Sequence, residues 1–187
     1  MHAVHGVILS ELQKYVEARH GTPAWPALLR DAGLGTKLFS PFQTYPDEEV
    51  VAIITAASKA TGKPMGIILE DFGEFIAPDL LSLYRALIKP EWRTLDLLEH
   101  TESTIHRVVR SRSADARPPE LKVARVREHE VILIYASPRR LCAIAKGIVR
   151  GIAKHYGERI SLIDTGCMQR GAPQCTISIR VLASSAG

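Results

Sequence analysis

The spacing of apolar residues changes near residue 119, and this change constrains the fold more than any other feature. Before it, the segment Val7–Arg19 places apolar residues at positions 8, 9, 12, 15 and 16, which is the spacing of a helix with one buried face. After it, Thr176–Val181 alternates between polar and apolar residues, as half-buried strands do. The sequence therefore predicts an α+β fold, with a helical N-terminal half followed by an antiparallel sheet with a crossing helix.

Prolines, glycines and polar clusters divide these halves into segments. Pro64 and Pro78 each stand where a helix can begin, because proline fits the first helical turn. A basic connector, Ser111–Pro119, separates the halves, and the polar turn Arg127–Glu130 predicts a hairpin. The predicted helices are Val7–Arg19, Ala24–Ala32, Glu48–Thr61, Pro64–Ile76, Pro78–Leu87, Trp92–Arg112 and Pro138–Tyr156, and the predicted strands are Leu121–Val126, Val131–Ala136, Arg159–Asp164 and Cys175–Leu182.

Length and charge narrow the class of protein. The 187 residues suit a single domain, 1–187, whose core is large enough to enclose a cofactor. The net charge of +4 is small and dispersed, so we expect no binding to nucleic acid. The longest apolar runs, such as Val131–Ala136, are too short to span a bilayer, and the first residues lack a signal-peptide core. We therefore expect a cytoplasmic protein that does not bind membranes.

Histidine is the first candidate for chemistry. The sequence has no nucleophile elbow, phosphate-binding loop or zinc-protease helix motif, so we predict that the chain is not an enzyme. His106 lies beside Ile105 and Val109, at the edge of an apolar stripe, and can face the interior. His100 would lie about 120° away on a regular helix, so the two cannot chelate one ion. His106 is either a hydrogen-bonded core histidine or a metal ligand, and the helix pattern alone leaves both open.

A second candidate is the segment that joins the second predicted strand to the helix after it. Tyr135, Ser137 and Arg139 alternate, so their side chains fall on one face of an extended stretch. Two hydroxyls and a planar guanidinium are donors that suit a pair of carboxylates. The alternative is a tyrosine hydroxyl that ties down a turn.

The Tyr-x-Ser-x-Arg pattern at 135–139 resembles the propionate-binding signature of the H-NOX family, which includes the haem sensor domain of soluble guanylate cyclase. In that family the proximal histidine lies on a helix upstream of a Pro-Pro pair, and here His106 is followed by eleven residues and then Pro118-Pro119. The resemblance implies a haem b whose iron is ligated by His106. It also implies that Tyr135, Ser137 and Arg139 bind the propionates and that Pro119 presses on the porphyrin.

Two further stretches resemble the same family. His5–Ile8 is similar to the opening of its first helix, and Asp71–Phe75 is similar to the Phe-Gly stretch of a later helix. The resemblance thus extends from about residue 4 to residue 181. It implies a helical distal subdomain, 1–65, and a proximal subdomain with the sheet, 66–187.

The three cysteines form a separate candidate site. Their arrangement resembles that of bacterial H-NOX proteins with a structural zinc bound by Cys, His, Cys and Cys. Asp164 stands at the position that matches the histidine, so the resemblance implies zinc ligation by Cys142, Asp164, Cys167 and Cys175. The alternatives are buried free thiols or a Cys167–Cys175 disulfide.

The residues expected to face the bound gas are apolar. Family members that hold oxygen resemble one another in offering a distal tyrosine, and Ile144 stands at the matching position. Ile148, Ile8 and Leu12 would complete the wall. The resemblance therefore implies a sensor that binds nitric oxide and carbon monoxide, excludes oxygen and signals to a separate effector, such as a histidine kinase or a cyclase. The alternative function is a haem-free, zinc-stabilised module for protein interaction or small-ligand binding.

Overall fold

The computed structural model describes residues 3–112 and 118–183. As expected for the α+β fold, its helices precede the main sheet, except for one helix that lies between the second and third strands of that sheet in chain order. A π-helical turn, Glu102–His106, joins the fifth and sixth helices, and short 3₁₀ turns lie at Arg85–Leu87 and Met168–Arg170. The centre of the predicted basic connector, residues 113–117, lies outside the described residues. The helices are α1 (Gly6–His20), α2 (Ala24–Asp31), α3 (Asp47–Thr61), α4 (Met65–Leu83), α5 (Thr94–Thr101), α6 (Arg107–Arg112) and α7 (Cys142–His155), and the strands are β1 (Ala3–His5), β2 (Thr44–Pro46), β3 (Glu120–Arg127), β4 (Glu130–Ala136), β5 (Arg159–Gly166) and β6 (Cys175–Leu182).

The main sheet is antiparallel, with strand order β3-β4-β6-β5. The predicted hairpin is confirmed, since β3 and β4 pair from Glu120 opposite Ala136 to Arg127 opposite Glu130. In the next pairing Tyr135 lies opposite Cys175. The register therefore brings the Tyr-x-Ser-x-Arg segment and one of the three cysteines to the same end of the sheet.

Helices α4 and α7 approach each other more closely than side chains would allow. A Cβ atom on Gly73 would lie 2.3 Å from the carbonyl oxygen of Ile144, and one on Gly147 would lie 2.0 Å from that of Glu70. A separation that short is a steric overlap, so only glycine fits at these crossings. Because α7 directly follows the Tyr-x-Ser-x-Arg segment, this contact fixes that segment against the helical half.

The prediction of two helices, Pro64–Ile76 and Pro78–Leu87, is wrong, because α4 runs continuously from Met65 to Leu83 with Pro78 inside it. Proline removes the backbone bond to the carbonyl four residues earlier, which here belongs to Glu74. That carbonyl packs against Gly151 of α7, where an added Cβ would lie 2.7 Å from it. The completely buried side chains of Ile76 and Ala77 also hold the helix together at this point.

A two-stranded sheet of β1 and β2 was not predicted from the sequence. Val4 lies opposite Tyr45, and the Gly6 amide donates to the carbonyl of Gln43 at 2.7 Å. Strands of three residues are too short to show an alternating pattern. This small sheet fixes the N-terminus of α1.

The core has two large apolar clusters. One lies among α1 to α4, and the other lies between the sheet, α5, α7 and the C-terminal part of α4. Helix α4 contributes Phe72 to the first and Leu81 to the second. The division into subdomains at residue 65 stays a prediction. Within residues 3–112 and 118–183, no helix combines the length and apolar character needed to cross a bilayer.

Candidate functional site

The sequence predicts a regular helix over Trp92–Arg112, but in the structure the helix that carries His106 is irregular. It begins at Thr94 and changes to a π-helical turn over Glu102–His106. The Thr104 hydroxyl donates to the carbonyl of His100 at 2.6 Å and so competes with the main-chain bonds of this turn. His100 instead stacks on Trp92, with ring centroids 4.3 Å apart, and this packing contact explains its position without a role in the site. Single π turns occur often at functional positions, because they re-aim a side chain.

The His106 imidazole is largely buried and held in one orientation. Its side chain is 14% exposed, and Nδ1 lies 2.9 Å from a carboxylate oxygen of Glu102. Burial lowers the pKa of His106, although Glu102 and the Pro119 backbone carbonyl oppose that effect. The ring is therefore neutral near pH 7, with the Nδ1 proton directed at Glu102. Nε2 then carries the lone pair, which is the form of histidine that binds metals.

Glu102 joins three parts of the structure. Besides His106, it accepts hydrogen bonds from the Arg110 guanidinium at 2.5 Å and from the Leu121 amide at 3.2 Å. Burial alone would raise the pKa of Glu102, but its bonds to these three donors lower it, so the carboxylate stays ionised. Glu102 was not predicted as a site residue from the sequence, although its i,i+4 spacing from His106 was a usable signal.

The Tyr-x-Ser-x-Arg residues come together at the end of β4. Tyr135 and Ser137 are 3% and 5% exposed, and their hydroxyls are hydrogen-bonded to each other. Burial raises the pKa of Tyr135 to about 12, so the phenol keeps its proton. The Ser137 hydroxyl oxygen accepts a hydrogen bond from the Arg139 backbone amide at 3.3 Å. Arg140 then adopts a left-handed backbone with a φ of 52° as the chain enters α7.

Arg139 reaches across to the helical half. Its Nε lies 2.8 Å from both carboxylate oxygens of Asp47, the first residue of α3. Both side chains are mostly buried, at 13% and 17% exposure. Sequence reasoning missed Asp47, which lies ninety-two positions away and has no local pattern to reveal it. The pair shows that Arg139 is positioned to recognise a carboxylate.

The three cysteines meet behind this segment. All are buried free thiols, and their sulfur atoms lie within 4.8 Å of one another. Cys142 and Cys175 each have Sγ 3.9 Å from that of Cys167, too far for a disulfide bond. Burial raises the pKa of Cys142 to about 12. Burial also acts to raise that of Cys167, but hydrogen bonds from the Gln169 amide and the other thiols lower it overall.

The structure does not bring Asp164, the predicted fourth zinc ligand, to the cysteines. Its carboxylate lies 3.2 Å from the Lys146 ammonium, which also contacts Glu70 at 2.8 Å. The pairing of β5 with β6 is irregular between Asp164 and Gly166, so the position of Asp164 cannot be extrapolated from its distance to Cys167 in sequence. Among the described residues, the group that could hold a metal consists of Cys142, Cys167 and Cys175.

The predicted apolar wall is assembled from α1 and α7. Leu12 is buried, and Ile8, Ile144 and Ile148 are partly buried and packed in the same cluster. Pro119 is partly buried immediately before β3. The side chains of the four wall residues contain no hydrogen-bond donor.

These residues fit a haem by their chemistry. An imidazole whose Nε2 carries the lone pair suits ferrous iron, and two buried hydroxyls beside an arginine that already binds a carboxylate suit propionates. Apolar side chains from two helices suit the face where a small gas binds.

Comparison with known proteins gives the family. A sequence model described as Haem-NO-binding matches residues 5–163, whereas no curated protein matches the chain. The fold is similar to the H-NOX protein from S. oneidensis in the Fe(II)NO ligation state, with a TM-score of 0.90 and 24% identity over 96% of this chain and 100% of that one. It is also similar to a variant of the Fe(II) unliganded H-NOX protein from K. algicida, with a TM-score of 0.88 and 20% identity over 97% of this chain and 98% of that one. A variant of the T. tengcongensis H-NOX protein matches with a TM-score of 0.85 and 19% identity over 97% of this chain and 100% of that one.

Because the family match spans most of its length, the chain belongs to the haem-NO-binding (H-NOX) family. The membership inferred from the Tyr-x-Ser-x-Arg segment and the position of His106 is confirmed, and so is the α+β fold.

Proposed function

We propose that the chain is a haem-based gas sensor that binds nitric oxide and carbon monoxide at a His106-ligated ferrous haem b. The observation that carries the proposal is the buried His106 imidazole, whose Nδ1 is bonded to Glu102 and whose Nε2 therefore carries the lone pair. Membership of the haem-NO-binding family supports it, as do similar folds solved in Fe(II)NO and Fe(II)CO ligation states. When bound, the haem supplies the iron at which the gas binds.

Tyr135, Ser137 and Arg139 would hold the propionates. The first two are buried at the end of β4, and Arg139 is already oriented toward the Asp47 carboxylate. A guanidinium can bind more than one carboxylate oxygen, so a propionate would either share Arg139 with Asp47 or displace it. Charge-assisted hydrogen bonds of this kind contribute about 1.5–3 kcal/mol each.

The apolar wall supports discrimination against oxygen. Binding polarises oxygen, so that a hydrogen-bond donor nearby stabilises it, whereas nitric oxide and carbon monoxide need a donor far less. Ile8, Leu12, Ile144 and Ile148 offer none. The missing bond to a charged acceptor corresponds to about one to two decades of oxygen affinity.

The signal would leave through the segment that carries His106. Neither the π turn nor α6 contains a fully buried residue, so this segment can shift with a small loss of packing. Pro119, whose carbonyl faces the His106 ring, would press on the porphyrin and respond to the same shift. We infer that a separate cytoplasmic effector, such as a histidine kinase or a cyclase, reads this movement, and that the chain itself is not a catalyst.

The cysteine cluster would hold a structural zinc. Three buried sulfur atoms within 4.8 Å supply three of the four ligands of such a site. Asp164 would complete it only by exchanging Lys146 for the metal. Metal analysis of protein purified without added zinc should find about one zinc per chain, and Cys142→Ser should lower that content. Metal-free wild-type protein with three titratable free thiols would contradict this part of the proposal.

The second candidate is a haem-free, zinc-stabilised interaction or small-ligand module. It is favoured by the Asp47–Arg139 ion pair, which satisfies Arg139 without any propionate. An absorption spectrum separates the two functions. The sensor should be red with a Soret band, which should shift with nitric oxide and with carbon monoxide but not with air while the iron stays ferrous. Colourless protein that takes up no added haem would favour the second candidate.

A further inference from the structure

We propose that Glu102 is a positioning residue that strengthens the bond between His106 and the haem iron. This inference rests on the proposed function and extends it, because it assigns the electronic character of the axial ligand to one side chain. The observation behind it is the 2.9 Å contact between His106 Nδ1 and the Glu102 carboxylate.

The contact with Glu102 determines which nitrogen of His106 carries the proton. A carboxylate can only accept, so the short contact requires a proton on Nδ1 of the neutral ring. The pair therefore fixes the tautomer in which Nε2 is the metal-binding atom. An ionised acceptor on Nδ1–H also shifts electron density toward Nε2, which makes the imidazole a stronger donor to a metal.

Hydrogen bonds to both of its oxygens hold the Glu102 carboxylate in place. One oxygen accepts from both His106 and the Leu121 amide, and the other accepts from Arg110. Leu121 belongs to β3, whereas His106 and Arg110 belong to the π turn and α6. The carboxylate therefore has little freedom to rotate away, and it fixes the plane of the imidazole relative to β3.

The Glu102–His106 pair has a consequence for gas sensing. A histidine that is both electron-rich and anchored through Glu102 to β3 resists leaving the iron. Glu102 would therefore oppose detachment of His106 from a bound haem iron. We expect removal of its charge to weaken the hold of His106 on the iron, so that His106 would detach more readily when nitric oxide is added.

The helix offers a matched control. Glu99 lies one turn earlier, is similarly exposed, and pairs with Arg125, with Arg125 Nε 2.9 Å from its carboxylate. Among its described contacts, none is with His106. Glu99→Gln and Glu102→Gln therefore each remove one paired negative charge, but only the second alters the axial ligand.

The test is resonance Raman spectroscopy of the ferrous haem protein without a gas. The iron–histidine stretching frequency should fall in Glu102→Gln and stay at the wild-type value in Glu99→Gln. Haem affinity should fall about 10- to 100-fold in Glu102→Gln only. With nitric oxide added, the fraction of protein in which His106 is detached from the iron should rise in the same variant. An unchanged frequency in Glu102→Gln would overturn the proposal while leaving the sensor function intact.

A second arm uses the wild-type chain without haem and needs no variant. The ¹⁵N resonances of His106, recorded above the ordinary titration range of histidine, should report a proton on Nδ1 and a bare Nε2. A proton on Nε2 would overturn the proposal. Failure of the chain to take up haem at all would instead reject the proposed function, and this inference with it.

Discussion

The pair of helices α4 and α7 and the segment that carries His106 are held in place by different forces. The backbones of α4 and α7 pack directly against each other, and at Gly73, Gly147 and Gly151 there is no room for a Cβ atom. The π turn and α6 contain no fully buried residue, and Glu102 joins them to β3 through hydrogen bonds. The first region is close-packed and resists displacement, whereas the second can exchange one set of polar contacts for another. The difference would suit the proposed sensor, in which the cofactor would rest against a fixed wall and the signal would pass through a segment that moves.

Substitution at the close-packed crossing should have the largest effect on stability. Gly147→Ala would place a Cβ 2.0 Å from the Glu70 carbonyl, so α4 and α7 must separate. We expect the free energy of unfolding to fall by about 3 kcal/mol, at the upper end of the usual cost of overpacking. Denaturant unfolding of protein with matched haem content measures it.

The matched control is Gly66→Ala, because beyond its chain neighbours and the adjacent backbone of α4 no atom lies within 4 Å of the Cβ position at Gly66. This change should leave stability equal or raise it by up to about 1 kcal/mol, since alanine favours helix. Equal losses from the two substitutions would show that the crossing is not close-packed, and the contrast between the two regions would fail.

Substitution in the Tyr-x-Ser-x-Arg segment should have an intermediate effect, on haem rather than on folding. Arg139→Ala removes the proposed charged partner of the propionates and should lower haem affinity about ten- to a hundredfold. The spectrum should still report histidine ligation, because His106 lies on a different segment. Haem transfer to an acceptor protein gives the affinity.

Tyr135→Phe sharpens the same test, since it removes one hydroxyl and keeps the ring that is buried beside the cysteines. Its effect on haem affinity should be smaller than that of Arg139→Ala. Wild-type affinity in a variant changed at Tyr135, Ser137 and Arg139 together would reject their role as propionate ligands.

Sequence patterns predicted the elements whose structure is decided locally. Alternation in Thr176–Val181 gave β6, and helical spacing in Val7–Arg19 gave α1. The spacing of His106 from Pro118-Pro119 and the Tyr-x-Ser-x-Arg segment gave the family. These signals need only neighbouring residues, so no knowledge of the packing was required.

Other features depend on partners that are distant in sequence or on irregular backbone. Pro78 stays inside α4 because Gly151 of α7 packs against the carbonyl that proline cannot bond. Asp47 reaches Arg139 only through the tertiary fold. The π turn changes the direction of His106 in a way that a regular helix could not reveal. The irregular pairing of β5 likewise hid the separation of Asp164 from the cysteines.

The most direct test of the account is the ferrous absorption spectrum of His106→Ala beside that of His100→Ala. Loss of His106 should abolish haem retention or reduce it sharply, because propionate and apolar contacts alone would then hold the cofactor. His100→Ala should keep the wild-type spectrum and its response to nitric oxide, since His100 stacks on Trp92 outside the site. A normal spectrum in His106→Ala, together with its loss in His100→Ala, would show that the axial ligand has been assigned to the wrong histidine.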